Sequence, residues 1–194
     1  MPDGNSTAMS LMSNSVPAFQ MKGKQAAVAK FAILLVGPKS MSGILKNEIF
    51  NVFQEEHGDQ VNGLSIHLCE LLEDIIQSCQ SCHADFIVIL LDSNNPDSAF
   101  SVERSLCVLE PVYLCSRICL VNCISSAISN SKVDSEQIYT LVERFSIPLM
   151  NSNIQIKAER KFLAERIDYL ASSVCGIKTG YPLVFEQPST KIIA

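Results

Sequence analysis

The sequence predicts an α/β fold: a doubly wound, mostly parallel sheet flanked by helices. Two observations lead to this prediction. Continuous apolar runs, such as residues 86–91 within ADFIVILLD, are typical of parallel strands that are covered on both faces. Each such run is followed by apolar residues at helical spacing, so strands and helices alternate along the chain in five βα units.

The first two units occupy the chain up to about residue 76. AKFAILLVG predicts a buried strand, and Gly58 is expected to end the helix that follows it. The apolar positions of that helix are Met41, Ile44, Leu45, Ile49, Val52 and Phe53. In the second unit Leu64, Ile66 and Leu68 alternate as in a strand, and a helical stripe begins at once, so the strand runs directly into its helix.

The last three units follow the same pattern. ADFIVILLD is a strand, NNPDS is a turn, and a helical stripe follows. Residues 118–121 form the next strand, and Asp134 or Ser135 caps a helix. IPLM is a short strand before a helix over residues 157–174, which Gly176 ends. The inward positions predicted for this last helix are Phe162, Leu163, Ile167, Leu170, Ala171 and Val174.

Composition predicts one globular domain over residues 29–176, because 194 residues with 47% hydrophobic content can bury one substantial core. Residues 1–28 are expected to be a flexible lead-in without the apolar segment of a secretory signal, and residues 177–194 an apolar tail. The apolar runs fall well short of the roughly 18 residues that indicate a membrane span. A net charge of −5 argues against direct contact with nucleic acid, which requires clustered Lys and Arg.

Eight cysteines without an export signal predict reduced thiols in the cytosol or nucleus. CQSCH, residues 79–83, matches the CxxCH pattern of covalent haem attachment, and His83 with nearby cysteines could also contribute to a zinc site. The lack of export and the position beside a buried strand favour small apolar core residues instead. We therefore expect no cofactor and no metal.

Residues 34–45, LLVGPKSMSGIL, have the outline of a phosphate-binding loop, with an apolar strand, a glycine, a turn and a helix. The motif GxxxxGK[ST] uses backbone amides and a lysine for the phosphates and a hydroxyl for magnesium. Counting from Gly37 places Ser42 at the second glycine, Gly43 at the lysine and Ile44 at the hydroxyl. Only the first glycine is therefore retained.

The segments ADFIVILLDSNNPDSAFSVERSL, ICLVNCISS and FSIPLMNSNIQ resemble, in order and spacing, the second half of a Ras-like small GTPase. The resemblance implies a guanine-reading NKxD motif where this chain has NCIS: Asn122 remains, but Ser125 replaces the aspartate. The SAK motif is replaced near residues 153–155, and no DxxG occurs between residues 58 and 84. That interval is also short for two switches and a hairpin, so the switch regions are expected to be missing.

Loss of three hydrogen bonds to charged groups costs about 5 to 9 kcal/mol, or three to six decades of affinity. Asp92, at a strand end, could in principle bind magnesium or act as a base, but no partner acid is near it in the sequence. We expect it to serve in a turn or a helix cap. His57, His67 and His83 accompany no nucleophile motif such as GxSxG, so no catalytic residue is predicted.

Over about residues 29–185 the chain is similar to the centromere protein M family, GTPase-like subunits of the inner kinetochore. The similarity rests on ILLVG without a functional phosphate loop, the shortened middle, ADFIVILLDSNNPDSAFSVERSL, VYLCSRICLV and SIPLM. It implies a nuclear pseudo-GTPase at the centromere that stabilises centromere protein I and joins it with centromere proteins H and K. Contact with chromatin would be indirect. The alternatives are an atypical Ras-like GTPase or nucleotide sensor, and a different pseudo-GTPase adaptor.

Two apolar stretches are candidates for a partner surface. EPVYLCSR, residues 110–117, replaces a loop that is usually polar in a Ras-like domain, so Val112, Tyr113 and Leu114 are expected to be exposed. GYPLVF lies beyond the last element of the fold, and its candidate residues are Tyr181, Leu183, Val184 and Phe185. The alternative is that both stretches fold back on the core.

Overall fold

The structure is a computed structural model that describes residues 31–58, 63–77, 84–124 and 131–176. Its strands are β1 (Phe31–Val36), β2 (Leu64–Cys69), β3 (Phe86–Asp92), β4 (Ile118–Cys123) and β5 (Leu149–Ser152). They form one parallel sheet in the order β2-β1-β3-β4-β5. This is a doubly wound order that reverses between β1 and β3, which confirms the predicted fold class.

Helices cover both faces of the sheet in two layers. They are α1 (Lys39–His57), α2 (Leu72–Gln77), α3 (Ser98–Cys107), α4 (Pro111–Leu114), α5 (Ser135–Phe145) and α6 (Lys157–Cys175). One core cluster lies between the sheet and the α1–α6 layer, and the other lies beneath α2, α3, α4 and α5. All six residues of β1 are buried, Ile33 against the first cluster and Leu34 against the second. Burial on both faces explains why the apolar pattern of this strand is continuous rather than alternating.

Helix ends follow the predicted signals. Gly58 and Gly176 end α1 and α6 with positive φ angles of 54° and 75°, which glycine adopts without a steric penalty. The carboxylate of Asp134 accepts a hydrogen bond from the backbone N–H of Glu136 at 3.0 Å. Of the two cap residues that the sequence leaves open, Asp134 is therefore the one used.

Three details differ from the sequence prediction. Residues 111–114 form a short helix rather than a loop, because Pro111 at the first helical position fixes the φ angle that starts the turn. The final strand begins at Leu149 and continues to Ser152, two residues beyond IPLM. Phe162, predicted to face inward, is 60% exposed, because the buried stripe of α6 passes through Leu163 and Ala164 instead.

β2 is one edge of the sheet and pairs with β1 over its whole length. Six residues, 58–63, separate it from the end of α1. None of the helices in the described chain is long and apolar enough to cross a membrane.

Candidate functional site

Doubly wound sheets bind ligands at their carboxyl edge, where the strand order reverses. In this chain that point is the connection from β1 to α1, which consists of Gly37 and Pro38 alone. The N–H of Gly37 donates to the carbonyl of Cys69 at 2.9 Å, and proline has no N–H. The outline read from the sequence, a strand, a glycine, a short turn and a helix, is present, but the turn has only two residues and forms no longer loop whose amides could surround a phosphate.

Close packing explains why a glycine occupies position 37. Its φ angle is 146°, and a Cβ atom added there would lie 2.8 Å from Cβ of Leu90 and 3.0 Å from the Leu90 carbonyl oxygen. Both the backbone conformation and the approach to β3 require the absence of a side chain. The one retained feature of the phosphate motif thus has a purely structural cause.

The other three positions that align with the phosphate-loop motif, Ser42, Gly43 and Ile44, lie in the first turns of α1. Ser42 is fully buried, and its hydroxyl donates to the carbonyl of Pro38 at 3.1 Å. Gly43 has no atom within 4 Å of where a Cβ would be, so this side of the helix is open, and Ile44 is half-buried. None of the three supplies the cation or the free hydroxyl that phosphate and magnesium need.

Asp92 has the turn role that the sequence favours. Its backbone N–H donates to the hydroxyl of Ser98 at 2.8 Å, and its carboxylate accepts from the N–H of Asn94 at 2.9 Å. Beside it the hydroxyl of Ser93 donates to the carbonyl of Cys123 at 2.8 Å, which ties the end of β3 to the end of β4. The carboxylate thus stabilises a local turn.

Asn122 lies at the end of β4, buried, where a base-reading asparagine is expected. Its amide nitrogen donates to Oδ1 of Asn151 on β5 at 3.0 Å. Its Oδ1 is buried and has no hydrogen-bond partner within the part of the chain that the structure describes. Ser125 lies outside the described residues.

The segment after β5, where a SAK motif would lie, bonds to its own helix. The backbone N–H of Asn153 donates to Oε2 of Glu159 at 2.8 Å, and the Asn153 side-chain oxygen accepts from the N–H of Gln155 at 3.1 Å. Arg160 donates to Glu48 of α1 at 3.0 Å and to the carbonyl of Ile154 at 2.7 Å. These contacts fix the start of α6 against α1, and they engage the polar groups of this segment within the protein.

The β4 thiols are not nucleophiles. Burial raises the pKa of Cys119, and burial together with the nearby Asp92 carboxylate raises the pKa of Cys123 to about 12, so both stay protonated at neutral pH. Residues 79–83, with the CQSCH sequence, lie outside the described residues. Within the described ranges no three His, Cys, Asp or Glu side chains are grouped as a metal site requires.

One buried polar cluster was not foreseen from the sequence. Nε2 of His57 lies 2.8 Å from Oδ1 of Asp168, and the hydroxyl of Ser172 donates to the same oxygen at 2.8 Å. The same Nε2 of His57 faces both the carboxylate and the Ser172 hydroxyl, which lies 3.5 Å away, so the imidazole does not connect the acid to the serine through its two nitrogens as in a nucleophilic triad. It connects the end of α1 to α6. His57 and Asp168 are 111 positions apart and belong to no local motif, so no sequence signal could have paired them.

The amino edge of the sheet contains the predicted partner segment, and here one expectation is wrong. Tyr113 is fully buried, and its hydroxyl donates to the carbonyl of Ala84 at 3.0 Å, because the α4 turn directs the ring inward. Val112 and Leu114 are half-buried and pack against the second core cluster. They, and not Tyr113, remain the candidate surface residues of this segment.

Leu114 lines an apolar groove at this edge, here called the amino-edge groove. It lies between the α4–β4 connection and the end of α6, with a volume of about 460 Å³. Its lining residues are Phe86, Leu114, Cys115, Ser116, Ile118, Ser146, Pro148, Leu170 and Val174. The tail residues Tyr181, Leu183, Val184 and Phe185 lie outside the described residues.

In a comparison with protein families, the model of the family described as centromere protein M matches residues 20–187. The chain belongs to the centromere protein M family. Comparison with individual curated proteins gives no match, so the assignment rests on the family model. Membership makes this a structural protein of the centromere and kinetochore. The match begins within the predicted lead-in and continues into the predicted tail.

Proposed function

We propose that the protein is a non-catalytic assembly subunit of the inner kinetochore, within the constitutive centromere-associated network. It binds and stabilises centromere protein I together with centromere proteins H and K, and it reaches centromeric chromatin through them during chromosome segregation in mitosis. The family match over residues 20–187 is the observation that carries this proposal. The acidic chain, with a net charge of −5, suits indirect contact with DNA.

The proposal includes the absence of nucleotide binding and hydrolysis, which makes the chain a pseudo-GTPase. The β1–α1 connection supports it, since the Gly37 amide is already bonded to Cys69 and Pro38 has no amide to offer. Gly43 also stands where a lysine would neutralise phosphate charge. A nucleotide would therefore lose both the amide cradle and the cation.

The alternative, an atypical Ras-like GTPase or nucleotide sensor, has one observation in its favour. The side-chain oxygen of Asn122 is buried without a hydrogen-bond partner among the described residues, at the position of a base-reading asparagine. A buried acceptor of this kind costs free energy unless some donor reaches it. A ligand N–H group would be such a donor.

The nucleotide question is tested by titrating the folded protein against fluorescent GTP and GDP, with and without magnesium, and competing with unlabelled nucleotide up to the millimolar range. We expect no competable signal. Micromolar or tighter binding that unlabelled nucleotide displaces would reject the pseudo-GTPase proposal, and loss of that binding in Asn122→Ala would assign the site.

The amino-edge groove is the partner surface that we propose, through Val112, Leu114 and the tail residues Tyr181, Leu183, Val184 and Phe185. Val174, which lines the groove, lies two positions before Gly176, where α6 ends. The end of α6 therefore lies beside the groove, and the tail residues follow it in the sequence. Half-buried apolar side chains around a groove are typical of a surface that a partner covers.

Co-elution with centromere proteins I, H and K tests this surface. Leu114→Asp and Val184→Asp should each abolish co-elution with little change in melting temperature, because a charge cannot be buried unpaired in an apolar interface. Leu68→Asp on β2 is the matched control, since Leu68 is 40% exposed on the far edge strand. Unfolding of the two groove variants would instead assign these residues to the core, and equal loss with Leu68→Asp would show that the groove is not specific.

A further inference from the structure

The outward side of α6 has an aromatic stripe that is not part of the core. Phe162 is 60% exposed and Tyr169 is 65% exposed, and the two residues lie about two helical turns apart. The guanidinium of Arg166 lies 5.9 Å from the centre of the Phe162 ring. Large aromatic rings beside an arginine are the composition that concentrates binding energy at the centre of protein interfaces.

The other sides of α6 contact the core and α1. Leu163 and Ile167 are buried against the sheet, and Lys161 and Asp168 contact α1 through Glu55 and His57. The remaining face has six positions at helical spacing. They are Ala158, Phe162, Glu165, Arg166, Tyr169 and Ser173.

This face is complementary to itself under a two-fold axis. If two α6 helices cross antiparallel with the axis between positions 165 and 166, Phe162 of one copy meets Tyr169 of the other, and Glu165 meets Arg166. The two small residues, Ala158 and Ser173, then meet at both ends. A parallel arrangement would instead place Glu165 against Glu165, so the charges favour the antiparallel pair.

We propose that the outward face of α6 binds a second copy of this chain, forming a two-fold symmetric dimer. The occupant is set by the pattern: aromatic against aromatic, acid against base, and small against small, all from one stretch of 16 residues about 22 Å long. An interface formed by one pair of helices buries a small area compared with most specific interfaces. The dimer is therefore weak, and its population depends on protein concentration. The amino-edge groove and this face use different residues, so the proposal is independent of the kinetochore partners.

Charge exchange tests the pairing directly, by sedimentation of the full chain over a range of concentrations. Glu165→Arg and Arg166→Glu should each raise the dimer Kd by about tenfold or more, because each creates two like-charge contacts per dimer. The double variant E165R/R166E should restore the wild-type Kd. Mixing the two single variants should also restore dimers, as heterodimers, since one chain then has arginine at both positions and its partner has glutamate at both.

Two matched controls separate this face from a general surface effect. Phe162→Ser should weaken the dimer, whereas Phe100→Ser on α3 should not, although Phe100 is 62% exposed and has Arg104 5.8 Å from its ring. Lys132→Glu, an exposed position remote in sequence, repeats the charge change of Arg166→Glu and should leave the Kd unchanged. A wild-type chain that stays monomeric at every concentration would overturn the proposal. Failure of the double variant to restore dimers, or an equal effect of Phe100→Ser, would do the same.

Discussion

The carboxyl and amino edges of the sheet are held by different kinds of contact. At the carboxyl edge, backbone groups and short polar side chains bond to one another, as Gly37 does with Cys69 and Ser93 with Cys123. At the amino edge, large side chains close the sheet: Tyr113 bonds to Ala84 and the buried Arg117 donates to the carbonyl of Asp85 at 3.3 Å. A groove is present at each edge: about 220 Å³ beside Gly37 and Pro38 at the carboxyl edge, and about 460 Å³ beside Leu114 at the amino edge.

This difference separates the site that the fold offers from the partner surface that we propose. In a doubly wound sheet the carboxyl edge is the usual ligand site, but here its polar groups are largely satisfied internally. The amino edge, which the fold normally leaves without a role, has the half-buried apolar residues.

Thiol labelling should separate the two edges most strongly. The pKa of Cys123, at the carboxyl end of β4, is raised from near 9.0 to about 12, so its thiolate population is about a thousandfold lower than that of an ordinary thiol. We expect iodoacetamide at pH 8 to modify the exposed Cys115 at the amino edge and to leave Cys123 unmodified, as measured by peptide mass spectrometry. The urea-unfolded chain, in which both thiols should react, is the control. Equal labelling of the folded protein would show that the carboxyl edge opens.

Gly37→Ala should disrupt the packing of the carboxyl edge against Leu90 of β3. We expect a loss of about 2 to 4 kcal/mol in the free energy of unfolding. The added Cβ would meet Leu90 at 2.8 Å in a backbone conformation that alanine rarely adopts. Urea unfolding followed by circular dichroism measures the change. A loss below about 0.5 kcal/mol would mean that β1 and β3 separate easily at this point.

Tyr113→Phe probes the amino edge with a smaller effect, about 1 kcal/mol of destabilisation. The variant keeps the ring in the core and removes only the hydroxyl that donates to the Ala84 carbonyl. The same unfolding measurement applies, and a destabilisation above about 3 kcal/mol would be inconsistent with a single hydrogen bond.

Gly43→Ala should give the smallest change and the opposite sign, a gain of about 0.5 to 1 kcal/mol. Glycine lowers helix stability relative to alanine, and no atom lies within 4 Å of the new methyl group. Together with Gly37→Ala, this variant tests whether position 37 excludes a side chain while position 43 tolerates one. A destabilisation would contradict the open surroundings of Gly43.

The fold could be predicted from the sequence because its signals are local. Continuous apolar runs identified the buried strands, and Gly58, Asp134 and Gly176 marked helix ends through their own backbone preferences. The orientation of Phe162 was mispredicted, since an aromatic residue beside a buried stripe satisfies the same periodicity as one within it.

The site was less predictable, because its features depend on contacts between distant residues. Missing phosphate-loop side chains can be read from the sequence, but the bond from Gly37 to Cys69 depends on how β1 and β2 pair. Tyr113 was expected at the surface because its neighbours suggested a loop, while its burial depends on Ala84, 29 positions away. Apolar residues in a connection therefore do not by themselves distinguish a surface from a core.

The joining of α1 to α6 determines when this chain can complete its fold during translation. His57 is made 111 residues before Asp168, and the core side chains of α1 share one cluster with those of α6. A nascent chain that has not reached α6 thus has Leu45, Ile49 and Phe53 without their final cover, and such surface is what chaperones bind. Truncation before α6, at residue 156 or earlier, removes this cover altogether, so the resulting fragments are expected to be targets for protein quality control.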